Sequence, residues 1–215
     1  MGDAIRKAAS IIAVRQGAGE PEVLVIERTR SARFLPGYVA FPGGAVDADD
    51  GLLAERWFGD GAEAARACAI RELIEEVRLR PTVDGLGPAE PDAFDRVERT
   101  GPLADRLPRI ARWIAPPHVP VRFDAEYFAI ASPPGLDPVA DGGEAAAAWW
   151  VSPRRLLAEW EDGSRRLYWP TYFTVRALAA CADARALLDL RFETREPDEE
   201  ELARLPRSVF WQDDR

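Results

Sequence analysis

The sequence predicts an α+β fold in which a mixed β-sheet lies sandwiched between helices. Short apolar strand patterns come first, a long helical pattern follows, and further strands precede a helical C-terminal region. This order differs from the regular strand–helix alternation of a parallel sheet. With 215 residues, 47% of them apolar, the chain is long enough for one domain with a sizeable core and too short for two.

Strands are predicted in two parts of the chain. Near the N-terminus, two strands joined by a turn at residues 17–21 are indicated by KAASIIAVRQG and PEVLVIER, and a third runs into glycines in YVAFPGG. Later, a strand pair is indicated by RIARWIAP and VRFDAEYFAIA, and a further strand by AAAAWWVSP. These strands supply the predicted sheet.

Helices are predicted from apolar residues that recur at helical spacing after Gly61. The stripe consists of Ala67, Ile70, Ile74 and Val77, with Leu73 beside it. The Pro- and Gly-rich stretch that follows contains one short predicted helix at about residues 92–99. Ser152 is a predicted N-cap for a helix that begins at the next residue, a proline, and residues 168–190 are predicted to be helical.

Charge and cysteine content exclude several classes of function. A net charge of −9 argues against a general nucleic-acid binder, which needs a basic face for phosphates. Two cysteines, Cys68 and Cys181, cannot build a disulfide framework, so a reducing cytoplasmic location is expected. The first residues contain no long apolar run, so neither a secretory signal nor a membrane partner is expected.

Three glutamates lie within about one turn of the predicted helix, in AIRELIEEVRL. Residues three and four apart share a helix face, so Glu72 lies beside Glu75 and Glu76. Three convergent carboxylates suit Mg²⁺ or Mn²⁺, which could neutralise phosphate oxygens and generate a nucleophilic water. Arg71, four residues before Glu75, can pair with it. A solvated helix face is the alternative interpretation of such a pattern.

The spacing of these residues resembles the Nudix hydrolase motif, G-x5-E-x7-R-E-U-x-E-E-x-G-U, in which U is a bulky apolar residue. The residues at the expected offsets are Glu63, Arg71, Glu72, Leu73, Glu75, Glu76 and Leu79. The resemblance implies a Nudix fold, in which the three acids of the helix bind the metal and Arg71 and Glu63 orient them. On a regular helix Glu63 would lie two turns before Arg71 and about 80° round the axis. Their pairing therefore requires the chain near Glu63 to be still entering the helix.

Two features depart from the Nudix motif. Its first glycine corresponds to Gly44, and residues 45–62 separate Gly44 from Glu63 where the motif has five residues. We therefore expect an insertion at about residues 45–62 that bulges out between loop and helix. Arg78 stands where the motif has a glycine at the end of the helix. A non-glycine residue with positive φ costs about 1 kcal/mol there.

A further acid is expected from a later loop, because Nudix enzymes often recruit one as a metal ligand or base. The candidates are Asp141 and Glu144 in DGGEAAAAWW, and Glu144 is the preferred metal ligand. For each of them, an acid of a surface loop without a role in catalysis is the alternative.

A second string, LVIERTRSARFLPGYVAFPGG, resembles the pattern L-L-T-x-R-S-x3-R-x3-G-x3-F-P-G-G of coenzyme A diphosphatases in that family. Arg28 and Arg33 would offer planar, permanently charged groups to phosphates, including the 3′-phosphate of coenzyme A. Gly43 and Gly44 would let backbone N–H groups approach an anion. Taken singly, each arginine is equally well explained as a solvated charge at a strand end.

The sequence thus predicts a Mg²⁺- or Mn²⁺-dependent diphosphatase, one Nudix domain over residues 1–215 with a helical C-terminal extension at about residues 168–215. The predicted partner is a small nucleoside diphosphate derivative, with coenzyme A or an acyl-coenzyme A first. Relatives suggest a homodimer. The alternatives are hydrolysis of ADP-ribose, NADH or another nucleoside diphosphate derivative, and a non-catalytic Nudix-fold ligand-binding module.

Overall fold

The computed structural model describes residues 5–98, 103–115 and 122–192. These residues confirm the predicted α+β fold, with a seven-stranded mixed sheet, a two-stranded sheet and helices on both faces. The strands are β1 (Arg6–Gln16), β2 (Pro21–Arg28), β3 (Val39–Ala40), β4 (Gly43–Ala45), β5 (Leu79–Thr82), β6 (Gly85–Pro88), β7 (Arg109–Ile114), β8 (Phe123–Ala131) and β9 (Ala145–Val151). The helices are α1 (Asp50–Phe58), α2 (Ala64–Val77), α3 (Ala93–Glu98), α4 (Pro153–Glu161), α5 (Trp169–Leu178) and α6 (Ala184–Asp189).

The sheet is built around β1. Strand β8 runs parallel to one edge of β1, from Arg6 opposite Phe123 to Val14 opposite Ala131. Along the other edge, β4 pairs antiparallel with the first half of β1, and β2 pairs with its end. Strand β2 also pairs with β3 and β9, while β7 pairs antiparallel with β8. The predicted β1–β2 and β7–β8 pairs are therefore confirmed.

Alternating side chains of β1 and β2 build one apolar core on each face of the sheet. Ile11 and Leu24 belong to the core that includes buried residues of α1, α2 and α3. Ile12 and Val25 belong to the opposite core, which includes buried residues of α4, α5 and α6. The sheet is thus sandwiched between helices, as predicted.

Helix α2 has defined ends that set its position on the sheet. A 3-10 turn at Gly61–Glu63 precedes it, and the side chain of Asp60 accepts a hydrogen bond from the N–H of Ala62 in that turn. The predicted apolar stripe of α2 is buried. The helix ends at Arg78, whose φ of 58° lies in the left-handed region and whose N–H donates to the carbonyl of Ile74. The predicted positive φ at Arg78 is therefore confirmed.

Residues 45–62 do not bulge outward as predicted. They form β4's last residue and α1, which packs on α2 and places Asp50, Ala54 and Trp57 in the interior. These three residues recur at spacings of four and three, so they share the inner face of a helix. The expectation of a bulging loop is wrong because this segment has an apolar face of its own to bury.

Three other outcomes concern the second half of the chain. The hairpin of β5 and β6 was not predicted, since its residues are rich in proline and glycine. Ser152 caps α4 as predicted, accepting a hydrogen bond from the N–H of Arg155 at 3.2 Å. The helix predicted over residues 168–190 is two helices, because Asp183 is extended and its side chain caps α6 by accepting from the N–H of Ala186.

The C-terminal extension predicted to residue 215 lies outside the described residues after residue 192. Within the described ranges, no helix combines the length and the hydropathy that crossing a lipid bilayer requires.

Candidate active site

The acidic face of α2 lies against β4. Glu72 and Glu76 are 8% and 2% exposed, whereas half of the Glu75 side chain is exposed. Glu76 Oε2 accepts a hydrogen bond from the N–H of Gly43 at 3.0 Å. A Cβ on Gly44 would lie 2.2 Å from Glu72 Oε1. Strand β4 therefore approaches two buried carboxylates closely, and Gly44 must lack a side chain to allow this.

Negative charge is concentrated and incompletely balanced at this point. Burial raises the pKa of Glu76 to about 8, and the charge of Glu72 adds to this, against the hydrogen bond from Gly43. Burial likewise raises the pKa of Glu72 to about 7, against the charge of Arg71. Glu76 Oε1 is buried without a hydrogen-bond partner, and Arg28 Nη1 lies 4.0 Å from it.

Arg71 links the carboxylates of α2 to α1. Its Nη1 donates to Glu72 Oε1 and Glu75 Oε2, both at 2.9 Å, which confirms the predicted pair with Glu75. Its Nε and Nη2 donate to the two carboxylate oxygens of Asp50 at 2.9 and 3.1 Å. Burial alone would lower the pKa of Arg71, but the hydrogen bond with Asp50 and the charge of Glu72 raise it above its ordinary value.

Glu63 does not pair with Arg71, although the resemblance implies that it orients the site together with Arg71. Glu63 forms an ion pair with Arg66, three residues further along. Arg66 is itself fixed, because its Nε donates to the carbonyl of Leu107 at 3.0 Å and its guanidinium lies over the Phe128 ring. Regular helix begins at residue 64, so Glu63 remains about two turns from Arg71.

A cavity of about 380 Å³ opens beside these carboxylates. Its polar lining includes Asp47, Glu72, Glu75 and Glu144, together with Arg28 and Arg71. A second set of lining residues, which we call the aromatic group, comprises Phe34, Phe41, Trp113, Phe123, Tyr127, Tyr168 and Trp169. The cavity thus combines an acidic surface, on which a cation can be held, with rings that suit a planar or apolar group.

Comparison with known proteins agrees with this geometry. Residues 4–169 match the NUDIX domain. The chain belongs to the Nudix family. A solved NUDIX hydrolase structure from Alicyclobacillus acidocaldarius has 33% sequence identity and a TM-score of 0.72, covering 87% of this chain and 97% of that one. The predicted Nudix fold is confirmed.

Curated relatives also carry Nudix names. Nudix hydrolase 7 of Caenorhabditis elegans is 27% identical over 194 residues, which cover 83% of this chain and 62% of the relative. Nudix hydrolase NudL of an Enterobacter species is 36% identical over 78 residues, covering 36% of this chain and 34% of the relative. The match spans less than two thirds of the length of either curated relative.

The Nudix carboxylates of α2 fit a divalent cation. In the described part of the chain, no three acidic, histidine or cysteine side chains already surround a common ion position. The unpartnered Oε1 of Glu76 and the raised pKa values of Glu72 and Glu76 show that this cluster lacks positive charge. Hard carboxylate oxygens are the ligands that Mg²⁺ and Mn²⁺ prefer. Glu72 and Glu76 could hold such an ion, with Glu75 as a further candidate ligand.

The loop before β9 separates the two predicted candidates for a further acid. Asp141 organises the loop, since its carboxylate accepts hydrogen bonds from the N–H groups of Gly143, Glu144 and Ala145 at 2.8 to 3.2 Å. Glu144 lines the cavity, and the N–H of Thr29 donates to its backbone carbonyl at 2.9 Å. The structure therefore brings Glu144 to the carboxylates of α2 and uses Asp141 as a support.

The predicted phosphate-binding residues lie in different places. Arg28 lines the cavity, and its Nε donates to the carbonyl of Phe34 at 3.0 Å. Arg33 is exposed and is not among the residues that line the cavity. The N–H of Gly43, predicted to face an anion, donates to Glu76 instead. A Cβ on Gly43 would also lie 2.4 Å from the carbonyl oxygen of Ala9 in β1, so this glycine is needed for strand pairing.

Sequence reasoning missed Asp50 and the aromatic group. A signal for Asp50 exists in its spacing to Ala54 and Trp57, which places a carboxylate on the apolar face of a helix. The aromatic group has no such local signal, since its members come from positions between Phe34 and Trp169 and meet only in the folded chain.

Proposed function

We propose that this chain hydrolyses the diphosphate bond of a nucleoside diphosphate derivative in a reaction that requires Mg²⁺ or Mn²⁺. One observation carries the proposal. Glu72, one of two buried and incompletely balanced carboxylates, lines a cavity that Arg28 and an aromatic group also line, and the second carboxylate, Glu76, lies about one helical turn further along α2. A nucleoside diphosphate derivative is complementary to both the acidic and the aromatic part of this lining. Its diphosphate would bind the acids through a cation, and its base would stack on the rings.

Each protein group has a defined part in this reaction. Glu72 and Glu76 hold the cation, with Glu75 and Glu144 as further candidate ligands, and the N–H of Gly43 fixes the rotamer of Glu76. The bound cation would neutralise diphosphate oxygens and lower the pKa of the attacking water.

Arg28 and the aromatic group are the proposed substrate contacts. Arg28 lines the cavity, and its guanidinium could donate to a non-bridging phosphate oxygen. Phe34 packs against Phe123 and Tyr168 at ring-centroid distances of 5.6 and 5.8 Å, with the Tyr168 ring edge-on. This aromatic surface receives the base and holds the diphosphate in register with the acids.

Coenzyme A or an acyl-coenzyme A is the first substrate that we propose, because the residues from Leu24 to Gly44 resemble the coenzyme A diphosphatase pattern. Water would then form a new O–P bond as the P–O–P bridge breaks, giving 4′-phosphopantetheine and 3′,5′-ADP. Homodimer formation and the cytoplasmic location stay predictions.

The test is hydrolysis of a substrate panel with Mg²⁺ and, separately, with EDTA, followed by chromatographic identification of the products. The panel contains coenzyme A, acetyl-coenzyme A, dephospho-coenzyme A, ADP-ribose and NADH. We expect Mg²⁺-dependent cleavage, fastest for coenzyme A or its acyl derivative. Faster cleavage of dephospho-coenzyme A would contradict recognition of the 3′-phosphate. No Mg²⁺-dependent cleavage of any compound would favour the non-catalytic ligand-binding alternative.

Two arginine variants form a matched pair for the substrate contact. R28Q removes the guanidinium that lines the cavity, whereas R33Q removes one that is exposed outside that lining. We expect R28Q to raise the KM more than R33Q does. The reverse order would assign the phosphate contact to Arg33 and would overturn the role proposed for Arg28.

A further inference from the structure

Arg71 is held by a carboxylate that the Nudix motif does not contain. Asp50 has no exposed surface, and its two oxygens accept from Nε and Nη2 of Arg71 in a bidentate pair. This leaves Nη1 for the carboxylates of α2, where it donates to both Glu72 and Glu75. A planar guanidinium bound in this way has a fixed orientation, so Asp50 determines where Nη1 points.

Asp50 is itself rigidly placed. Its Oδ2 accepts a hydrogen bond from the N–H of Asp47 at 2.8 Å. Helix α1, which begins at Asp50, is anchored by Trp57, whose ring is buried and whose Nε1 donates to the carbonyl of Phe94 at 3.2 Å. The position of Asp50 is therefore fixed by the core and does not depend on Arg71 alone.

Glu63, at the motif position expected to orient Arg71, is engaged elsewhere by its ion pair with Arg66. We propose that Asp50 is the positioning residue that takes this role, and that α1 is thereby part of the active site. The negative charge of Asp50 also balances the positive charge of Arg71. The guanidinium can therefore orient Glu72 and Glu75 while repelling a cation bound there less strongly. This inference rests on the proposed function, because it assigns cation binding to the acids of α2.

The first test observes Arg71 without any substrate or metal. In ¹⁵N-edited NMR, the Nε–H of a guanidinium in a buried bidentate pair exchanges slowly with water. The Arg71 signal is assigned by its absence in R71K. We expect protection in the wild type and its loss in D50N. The matched control is D49N, which makes the same substitution one residue earlier, at an exposed aspartate whose side chain makes no capping hydrogen bond.

Comparison with E63Q decides which carboxylate orients Arg71. We expect the Arg71 Nε–H signal of E63Q to resemble that of the wild type. Loss of protection in E63Q together with retention in D50N would overturn the proposal and restore the role that the motif implies for Glu63.

The second test measures Mn²⁺ affinity, with free Mn²⁺ detected by electron paramagnetic resonance. Removal of a group that orients metal ligands weakens metal binding by about 10- to 100-fold. We expect a loss of this size in D50N and none in D49N. Equal Mn²⁺ affinity in D50N and the wild type would overturn the proposal.

D50N leaves the charge of Arg71 buried without its partner and can fail to fold, so the double variant D50N/R71Q is included. If Asp50 acts only through Arg71, the double variant binds Mn²⁺ as R71Q does. A further fall in affinity from R71Q to the double variant would contradict action through Arg71.

The two proposals fail differently. A wild-type chain that binds Mn²⁺ in an Asp50-dependent manner but hydrolyses no compound would refute the hydrolase activity and support the role of Asp50. A wild-type chain that hydrolyses a compound and is unaltered by D50N would support the activity and refute the role of Asp50.

Discussion

A buried oxygen without a hydrogen-bond partner is rare in folded proteins, because the group loses its contacts with water and gains nothing. Glu76 Oε1 is such an atom, and it lies beside the second buried carboxylate, that of Glu72. In the metal-free protein these two residues therefore oppose folding. Their retention is understandable if a cation binds between them, since activity and stability often make opposite demands on a site.

The substitution E76Q tests the effects of Glu76 on stability and on activity separately. Without metal and at about pH 9, above the pKa of about 8 that burial gives Glu76, we expect E76Q to be more stable than the wild type by about 1 to 3 kcal/mol, because a neutral side chain then replaces a buried charge. Mg²⁺ should raise the melting temperature of the wild type and have little effect on E76Q. The rate of hydrolysis should fall by about 10³-fold, the equivalent of several kcal/mol. Unchanged turnover in E76Q would rule out this site.

Gly44 is the residue that gives Glu72 its space. A Cβ at this position would lie 2.2 Å from Oε1 and 2.8 Å from Cδ of Glu72. We expect G44A to displace Glu72 and weaken Mn²⁺ binding by about 10- to 100-fold, the range found when ligand orientation is lost. The matched control is G19A in the β1–β2 turn, where an added Cβ meets no atom within 4 Å. Equal metal affinity in G44A and G19A would show that Glu72 does not need this space.

At the scale of elements, α2 could be predicted in detail and α1 could not. The stripe of α2 is apolar on one side and acidic on the other, so its period, its extent and its buried face all follow from the sequence. In α1 the inner face begins with Asp50, which follows another aspartate and precedes a glycine, so the helical period is hidden in the sequence. Only the position of Arg71 in space shows why a carboxylate is buried there.

The C-terminal end of α2 can be tested independently of activity. Arg78 adopts φ 58° and ψ 35°, a conformation that costs an L-residue about 1 kcal/mol and glycine almost nothing. We expect R78G to raise the free energy of unfolding by about 0.5 to 1 kcal/mol, as measured by urea denaturation. R78A is the control, since alanine needs the same positive φ and should bring no such gain. Destabilisation by R78G would mean that the Arg78 side chain contributes more than its backbone strain costs.

At the scale of the whole molecule, the strand pairs and the acidic residues of the site were predictable because each depends on a local pattern. The aromatic group was not. It comes from the segments before and after β3, from β7, from β8 and from the start of α5, which approach one another only in the folded chain. The two arginines predicted to bind phosphate show the same limit: a sequence string placed Arg28 and Arg33 together, and of these two the fold brings only Arg28 to the cavity lining.

The position of the aromatic group in the cavity predicts that loss of one ring weakens substrate binding. We expect F34A to raise the KM for a nucleoside diphosphate substrate by about 10-fold, the equivalent of 1 to 2 kcal/mol of lost ring contact, with a smaller effect on kcat. The control is W160A, which truncates another half-buried aromatic side chain, one that packs on Tyr172 and does not line the cavity. A fall in kcat with unchanged KM in F34A would place this ring near the reacting atoms and not at the base.

The parallel pairing of β1 with β8 joins the first half of the chain to the second, and Asp124 of β8 fastens it. Asp124 accepts from Arg112 of β7 at 2.6 and 2.7 Å and from Lys7 of β1. The hydrogen bonds from Arg112 are the main reason that the pKa of Asp124 falls to about 2; burial opposes them and Lys7 adds to them. One aspartate thus connects three adjacent strands.

The pH dependence of stability tests this connection. A carboxyl group whose pKa is lower in the folded state stabilises the fold above its unfolded pKa, and this contribution is lost as the pH falls through the folded pKa. We expect D124N to lower the free energy of unfolding at pH 7 by about 2 kcal/mol, with the difference from wild type shrinking between about pH 4 and pH 2. The comparison variant is E126Q, since Glu126 lies on the same strand as Asp124, is more exposed than Asp124 and pairs with Arg109. We expect E126Q to lower the free energy of unfolding by less than about 1 kcal/mol. A D124N deficit that stays constant down to pH 2 would show that Asp124 stabilises the sheet by packing and not by charge.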